Sequence, residues 1–195
     1  MKIIDISQEL FSCRVYPGDS QPRFERVATI ENDGYNLTNI ALNAHNGTHI
    51  DAPNHFVAGA KSVSELDLRV FFGECTVAEF SGIIEENDMK KILRTCRERL
   101  LIKGTAELSE RAAAILAESH VKLFGVESQS VGNLHSPAPI HIALLKKEII
   151  PLEGLFLAHV TPGEYILAAF PLNMNGADGS PVRAVLIEQQ YTELT

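Results

Sequence analysis

The chain has 195 residues, 45% hydrophobic and 22% charged, a balance that suits one folded domain and excludes extended disorder. Its 17 Lys and Arg against 25 Asp and Glu give a formal charge of −8, which excludes a broad electrostatic grip on nucleic acid or an anionic membrane. No segment approaches the roughly 18 apolar residues a membrane span requires, "MKIIDISQEL" lacks the apolar core of a signal peptide, and Cys13, Cys75 and Cys96 are far apart without a CxxC pair. A cytoplasmic protein with free, buried thiols is the expectation.

In chain order, "KIIDIS" reads as a short strand, followed by "PRFERVATIE" and by "NLTNIALNA" with Leu37, Ile40 and Leu42 among small polar residues. "GECTVAEF" is a further strand. "ENDMKKILRTCRERL" sets Met89, Ile92, Leu93 and Cys96 at helical spacing behind Asn87 or Asp88 as a cap, and runs into the short strand "LLIK". "LSERAAAILAESH" is the clearest helix, with Ser109 to cap it. "VKLFGV" reads as a buried strand. "APIHIALLKKEI" reads as a helix that tolerates Pro139 in its first turn. "EYILAAFPL" and "PVRAVLIEQ" are strands separated by the Gly-rich turn "NMNGADGS". Strands at both ends and βαβ-like units between them predict a single α/β domain over residues 1–195, a mixed β-sheet with packed helices.

The stretch "HNGTHIDAPNH", His45 to His55, holds three of the seven histidines and an aspartate. The spacing of His45 and His49 invites comparison with the helical HExxH zinc pair. Asn46-Gly47, the β-branched Thr48 and Ile50, and Pro53 oppose a helix there. In an extended chain His45, Gly47, His49, Asp51, Pro53 and His55 share one face. A straight strand still fails on reach: four residues span roughly 13 Å, and a histidine nitrogen sits about 2.0–2.1 Å from zinc. The chain must bend, and Gly47 is where bending is cheapest. A kinked, one-faced ribbon can bring His45, His49 and Asp51 to one divalent ion such as Zn²⁺ or Mn²⁺, with positions left open as in catalytic sites. The competing reading is a His-rich loop that binds nothing.

"HNGTHIDAPNH" resembles the HxGTHxDxPxH signature of the cyclase-family metal-dependent amidohydrolases, which include bacterial kynurenine formamidases. The similarity extends through "VYPGD", "FGVESQSV" and "PLEGL…GEYILAAFPLNMNGADGSPVRAVL", and weakens in the helices between. The resemblance implies a swivelling β/α/β domain, often in homodimers or homotetramers, with two divalent metal ions per chain, zinc first and manganese second. It implies His45, His49 and Asp51 as ligands with Asp51 bridging, His141 as a later ligand, Glu153 as a second bridge, and His55 as the catalytic acid/base. Tyr16 falls where a substrate's aromatic ring is expected. On their own residues the later two are less telling: His141 lies beside Ile140, Leu144 and Leu145, as a core-edge histidine would, and Glu153 simply precedes Gly154.

Two positions depart from the family pattern. Formamidase members tend to carry Trp at Tyr16, and often Asp at Glu127. His120, His135 and His159 match no motif. The implied activity is metal-assisted hydrolysis of a small-molecule amide, with an aryl formamide such as N-formylkynurenine first and a cyclic amide such as isatin as the alternative. A non-catalytic metal-binding protein is the rival from another class; it would fill its coordination sphere and need no free His55. Serine or cysteine hydrolysis lacks a GxSxG motif and a Cys with a nearby His.

Overall fold

The computed structural model describes residues 1–188. Gln189, the end of the expected strand "PVRAVLIEQ", and the last residues of the expected 1–195 domain lie outside them. β1 (Lys2–Asp5) opens the chain. β2 (Arg23–Ala28) and β3 (Leu37–Ala41) pair as an antiparallel hairpin. The expected strand "PRFERVATIE" is shorter than its quoted run, because its end turns into α1 (Ile30–Asp33). β4 (His49–Asp51), β5 (Phe72–Glu79) and β6 (Gly82–Ile84) follow.

α2 (Glu86–Ile92) begins two residues earlier than an Asn87 cap would place it, and three earlier than an Asp88 cap would. Glu85 takes the cap, and Asp88, inside the helix, accepts the Glu85 amide in a capping box. Then come β7 (Arg99–Lys103), β8 (Ala106–Leu108) and α3 (Glu110–Ala117), where Ser109 Oγ accepts the Ala112 amide at 3.2 Å as a cap. β9 (Leu123–Val126) precedes α4 (Ala138–Leu145), which does carry Pro139 in its first turn. β10 (Ile150–Glu153), β11 (Gly163–Ala168), β12 (Gly179–Pro181) and β13 (Val185–Glu188) complete the described chain. Four strands, β6, β8, β10 and β12, have no counterpart in the sequence reading. β10 contains Pro151, which argues against a sheet-interior strand, and β12 emerges from the run expected to be only a Gly-rich turn.

Nine strands pair in the order β1-β13-β11-β5-β7-β9-β10-β4-β12. The centre, β5-β7-β9-β10, is parallel and both flanks are antiparallel, so the mixed sheet is as expected. Parallel strands covered on both faces need apolar side chains on both. In β7, Leu100 and Ile102 meet the helices with Met89, Leu116 and Leu144, while Leu101 turns to the opposite core with Leu123 and Leu152. That second core also unites Ile4 of β1 with Ile50 of β4, near opposite ends of the strand order, so the sheet curls. Hydrogen bonds stitch the approach: Ile6 N donates to Ala184 O at 3.0 Å, Gln8 N to Thr48 Oγ1 at 2.9 Å, and Val182 N to Thr48 O at 2.9 Å. The result is a single α/β domain in which β4, β10 and α4 converge. All three cysteines are free and buried. Among the described residues no helix is long and apolar enough to cross a membrane.

Candidate active site

The His-rich stretch bends where its composition requires. Gly47 sits at φ 68°, a left-handed conformation that side chains disfavour. Before it, Asn43 and Asn46 close a turn on each other: Asn46 Oδ1 accepts the Asn43 amide at 2.8 Å, and Asn43 Oδ1 accepts the His45 amide at 3.1 Å. After it, β4 alternates. Ile50 enters the core, and His49 and Asp51 turn to the other face. The ribbon is shorter than the one-faced strand expected to His55. The strand ends at Asp51, and Pro53, which lacks an amide donor, opens a 3-10 turn over Pro53–His55 that carries His55 back toward the site.

Register supplies the rest. β10 runs antiparallel to β4 with Glu153 opposite His49. α4 supplies His141. His45 Nδ1 lies 2.9 Å from Asp51 Oδ1, and His49 Nε2 lies 3.2 Å from Glu153 Oε2 and 3.7 Å from Asp51 Oδ1. His141 Nε2 is 3.3 Å from Asp51 Oδ2 and 3.1 Å from Glu153 Oε1. The outer nitrogens are fixed too: His49 Nδ1 donates to Gly47 O at 3.0 Å and His141 Nδ1 to Pro137 O at 2.8 Å, so both turn Nε2 inward.

Charge is concentrated here. Burial alone would lower the pKa of His45, but Asp51 and then Asp178 outweigh it and raise it to about 9. His141 is likewise driven up against its burial, by Asp51 and Glu153, to about 10. His49 is raised against burial by Glu153 and then Asp51. Asp51, although burial opposes it, is held well below the usual carboxylate range by His141, His45 and His49. His55 goes the other way: burial, with the His45 charge adding to it, lowers its pKa against the pull of Asp51 and Asp178.

These residues fit a divalent cation. Asp51 Oδ2 is buried and makes no hydrogen bond, which is costly for a carboxylate oxygen unless positive charge compensates it. His45, His49 and Asp51 form one group, and Asp51, His141 and Glu153 another, each with donor atoms within 4.8 Å of one another. Both are nitrogen–oxygen sets without sulfur, of the kind zinc and manganese accept, and they share Asp51. Imidazolium charge and bound cations are alternative ways to balance the same carboxylates.

The site opens into a cleft of about 370 Å³, whose lining includes His55, Tyr16 and Phe56. Phe56 stacks on His141 with ring centroids 4.6 Å apart. The Tyr16 hydroxyl donates to Leu134 O at 2.7 Å, which holds the ring over the cleft. Glu127 lies elsewhere: its oxygens accept the amides of Gly104 at 2.6 Å and Leu157 at 2.8 Å, so its carboxylate braces backbone. His120 and His159 bond to the carbonyls of Cys96 and Asp5. The sequence reading missed Asp178, whose Oδ2 is 3.1 Å from His45 Nε2 and 3.1 Å from His55 Nδ1. It lies in a stretch the family resemblance covers, but nothing there singles it out: an acidic residue between small ones in "NGADGS" is a pattern that ordinary turns also show.

The chain matches the family described as "Putative cyclase" over residues 4–133. It is 35% identical over 202 residues to the "Kynurenine formamidase" of Bacillus anthracis, covering 95% of this chain and 97% of that one. A solved structure titled "The Structure Of Potential Metal-Dependent Hydrolase With Cyclase Activity" superposes with a TM-score of 0.83 at 26% identity, covering 97% of this chain and 98% of the other. Isatin hydrolase A from Labrenzia aggregata shares the fold, with a TM-score of 0.83 at 20% identity over 96% of this chain and 94% of its own. The chain belongs to the cyclase family, as an enzyme related to the bacterial kynurenine formamidases and to metal-dependent hydrolases of the same fold.

Proposed function

We propose that this chain hydrolyses the amide bond of an aryl formamide, N-formylkynurenine first, to an aryl amine and formate. The observation that carries the reading is the Asp51-centred pair of donor groups beneath His55 in one cleft. His45, His49, Asp51, His141 and Glu153 would hold two divalent ions, zinc first and manganese second. Such ions supply Lewis acidity, lowering the pKa of water toward 7 and polarising an amide carbonyl.

The chain's own groups do the remaining work. His55, its pKa lowered, is neutral near pH 7 and can accept a proton from water. It then delivers that proton to the departing nitrogen, so water is added across the C–N bond, and the formic acid formed ionises to formate, releasing one proton near pH 7. A substrate ring beside Tyr16 would bring its formamide toward His55. A cleft of about 370 Å³ suits a single-ring substrate. The formamidase relative, at 35% identity, favours a formamide over a cyclic amide, since the isatin hydrolase likeness lies in the fold. On this reading the protein works in tryptophan catabolism in the cytoplasm.

A homodimer or homotetramer also belongs to this proposal. The β2–β3 hairpin leaves the cross-strand pair Phe24 and Ile40 more than half exposed on one face, an apolar surface that a second copy would cover. Ile40→Glu would then lower the mass measured by sedimentation; an unchanged mass removes the hairpin from the interface.

The decisive experiment is turnover of a panel of aromatic formamides, aliphatic formamides and isatin by the zinc- or manganese-loaded protein. Fastest hydrolysis of N-formylkynurenine is expected. Preference for isatin would replace the substrate, and inertness toward every amide in the loaded protein would overturn the reading.

A further inference from the structure

We propose that Asp178 is a positioning residue whose single oxygen Oδ2 fixes His45 and His55 together, setting the ligand nitrogen of one ring and the proton-transferring nitrogen of the other. The role of His55 rests on the hydrolase reading; the hydrogen bonds that orient it stand on geometry alone.

Each histidine of the site has one nitrogen anchored from outside. For His49 and His141 the anchors are the backbone carbonyls of Gly47 and Pro137. For His45 and His55 the anchor is one shared atom, Asp178 Oδ2, 3.1 Å from His45 Nε2 and 3.1 Å from His55 Nδ1. An imidazole that donates from one nitrogen presents a lone pair at the other. His45 therefore offers Nδ1 on the Asp51 side, where the shared donor group lies. His55 is left with Nε2 as its proton acceptor. The two rings stack with centroids 4.1 Å apart and an interplanar angle of 29°. A carboxylate at their outer edges holds both planes at once and offsets positive charge on either.

The carboxylate is itself fixed by backbone. Asp178 O accepts the Ala52 amide at 2.8 Å, and the next residue, Gly179, pairs with Asp51 across β12 and β4. One strand pair, β4 with β12, thus carries the proposed bridging ligand Asp51 and, through Asp178 just before β12, the orientation of the acid/base. His45, His55 and Asp178 also satisfy the geometry of a cation group. Exposure argues for the positioning role: the Asp178 side chain is 49% exposed, against 1% for Asp51 and 3% for Glu153. A half-exposed carboxylate suits orientation by hydrogen bonds more than the enclosed pair beneath it.

The test compares Asp178→Ala and Asp178→Asn with the parent enzyme, all zinc-loaded. The readouts are zinc per chain, kcat and KM separately, and the imidazole tautomers by ¹⁵N NMR. The parent should show His55 carrying its proton on Nδ1. Asp178→Ala should keep its zinc stoichiometry at saturating metal, bind zinc more weakly, lose roughly 10–100-fold in kcat, and show mixed His55 tautomers with KM little changed. Asp178→Asn retains an acceptor oxygen and should recover part of kcat. Loss of a whole zinc equivalent at saturation would make Asp178 a ligand and overturn the proposal. So would unchanged kcat and tautomers in Asp178→Ala, or a His55 proton on Nε2 in the parent. If the parent hydrolyses no amide, the hydrolase reading fails by itself, while the tautomer and zinc readouts still decide the role of Asp178.

Discussion

Zinc added to the metal-free protein at pH 7.5 should release protons, and the structure sets the number. His45 is raised to about 9 and His141 to about 10, because Asp51 and its neighbouring carboxylates outweigh burial. At pH 7.5 two such groups are about 97% and more than 99% protonated. Zinc needs the lone pairs those protons occupy, so about two protons leave per chain, and His49, also raised, contributes toward a third. The linkage has a definite sign. A raised folded pKa stabilises the protein fully below the unfolded value of about 6.5 and loses that contribution as pH rises through the folded value. Metal-free protein should therefore lose stability between about pH 6.5 and 10, by on the order of 3 kcal/mol for His45. Titration calorimetry in buffers of different ionisation enthalpy counts the protons, and thermal melts of metal-free protein against pH follow the stability. The count should fall at pH 9.5, where His45 is largely deprotonated before zinc arrives. No proton release at pH 7.5 would refute the reasoning, since it would mean the carboxylates do not charge these histidines.

His55→Ala should retain zinc and lose roughly 10²–10⁴-fold in kcat, as expected for a lost acid/base group; elemental analysis showing lost metal would instead make His55 a ligand. Tyr16→Trp should preserve or improve turnover of N-formylkynurenine. Tyr16→Ala should cost about 1–3 kcal/mol in kcat/KM, taking stacking of bases on aromatic side chains as a loose analogue. Equal kcat/KM for aromatic and aliphatic formamides, unaffected by Tyr16→Ala, would remove the ring contact.

What the sequence revealed and what it hid have physical causes. His45, His49, Asp51 and His55 were legible because they lie within eleven consecutive residues and Gly47 marks the bend between the first two. The apolar run of β7 was legible because a strand covered on both faces has no polar alternation to confuse it. His141 and Glu153 read weakly because their meaning depends on register: Glu153 matters because it lies opposite His49 across a strand pair, and nothing local announces that pairing. Pro151 within the same strand conceals it further. Asp178 was invisible for a related reason. Its partners are more than a hundred residues away, and its own neighbourhood has the composition of a turn. Glu127 shows the reverse case, a position the family pattern singles out whose side chain holds the Gly104 and Leu157 amides, away from the candidate site.

Gly179 makes the coupling between that turn-like run and the candidate metal site testable without changing any proposed ligand. A Cβ built there would stand 2.5 Å from His45 Cε1 and 2.9 Å from both ring nitrogens. Real Cβ atoms do not approach so closely, so either the ring or the strand must move. The ring has little freedom: Asp51 and Asp178 hold its two nitrogens, and His55 stacks on one face. The strand has little more, since Gly179 pairs with Asp51. Gly179→Ala should therefore displace His45 and weaken zinc binding by roughly 10–100-fold, the usual cost of disturbing a ligand's supporting contacts. Gly176→Ala is the control. Gly176 stands three residues earlier at φ 77° with open space around its Cα, so alanine there should cost about 1–2 kcal/mol of stability and leave zinc affinity alone. Zinc competition titrations on the two folded variants separate backbone strain from ligand displacement. Equal zinc affinity in Gly179→Ala and the parent would show that the ring is not pinned by β12, and that the missing side chain at this position serves only the path of the chain.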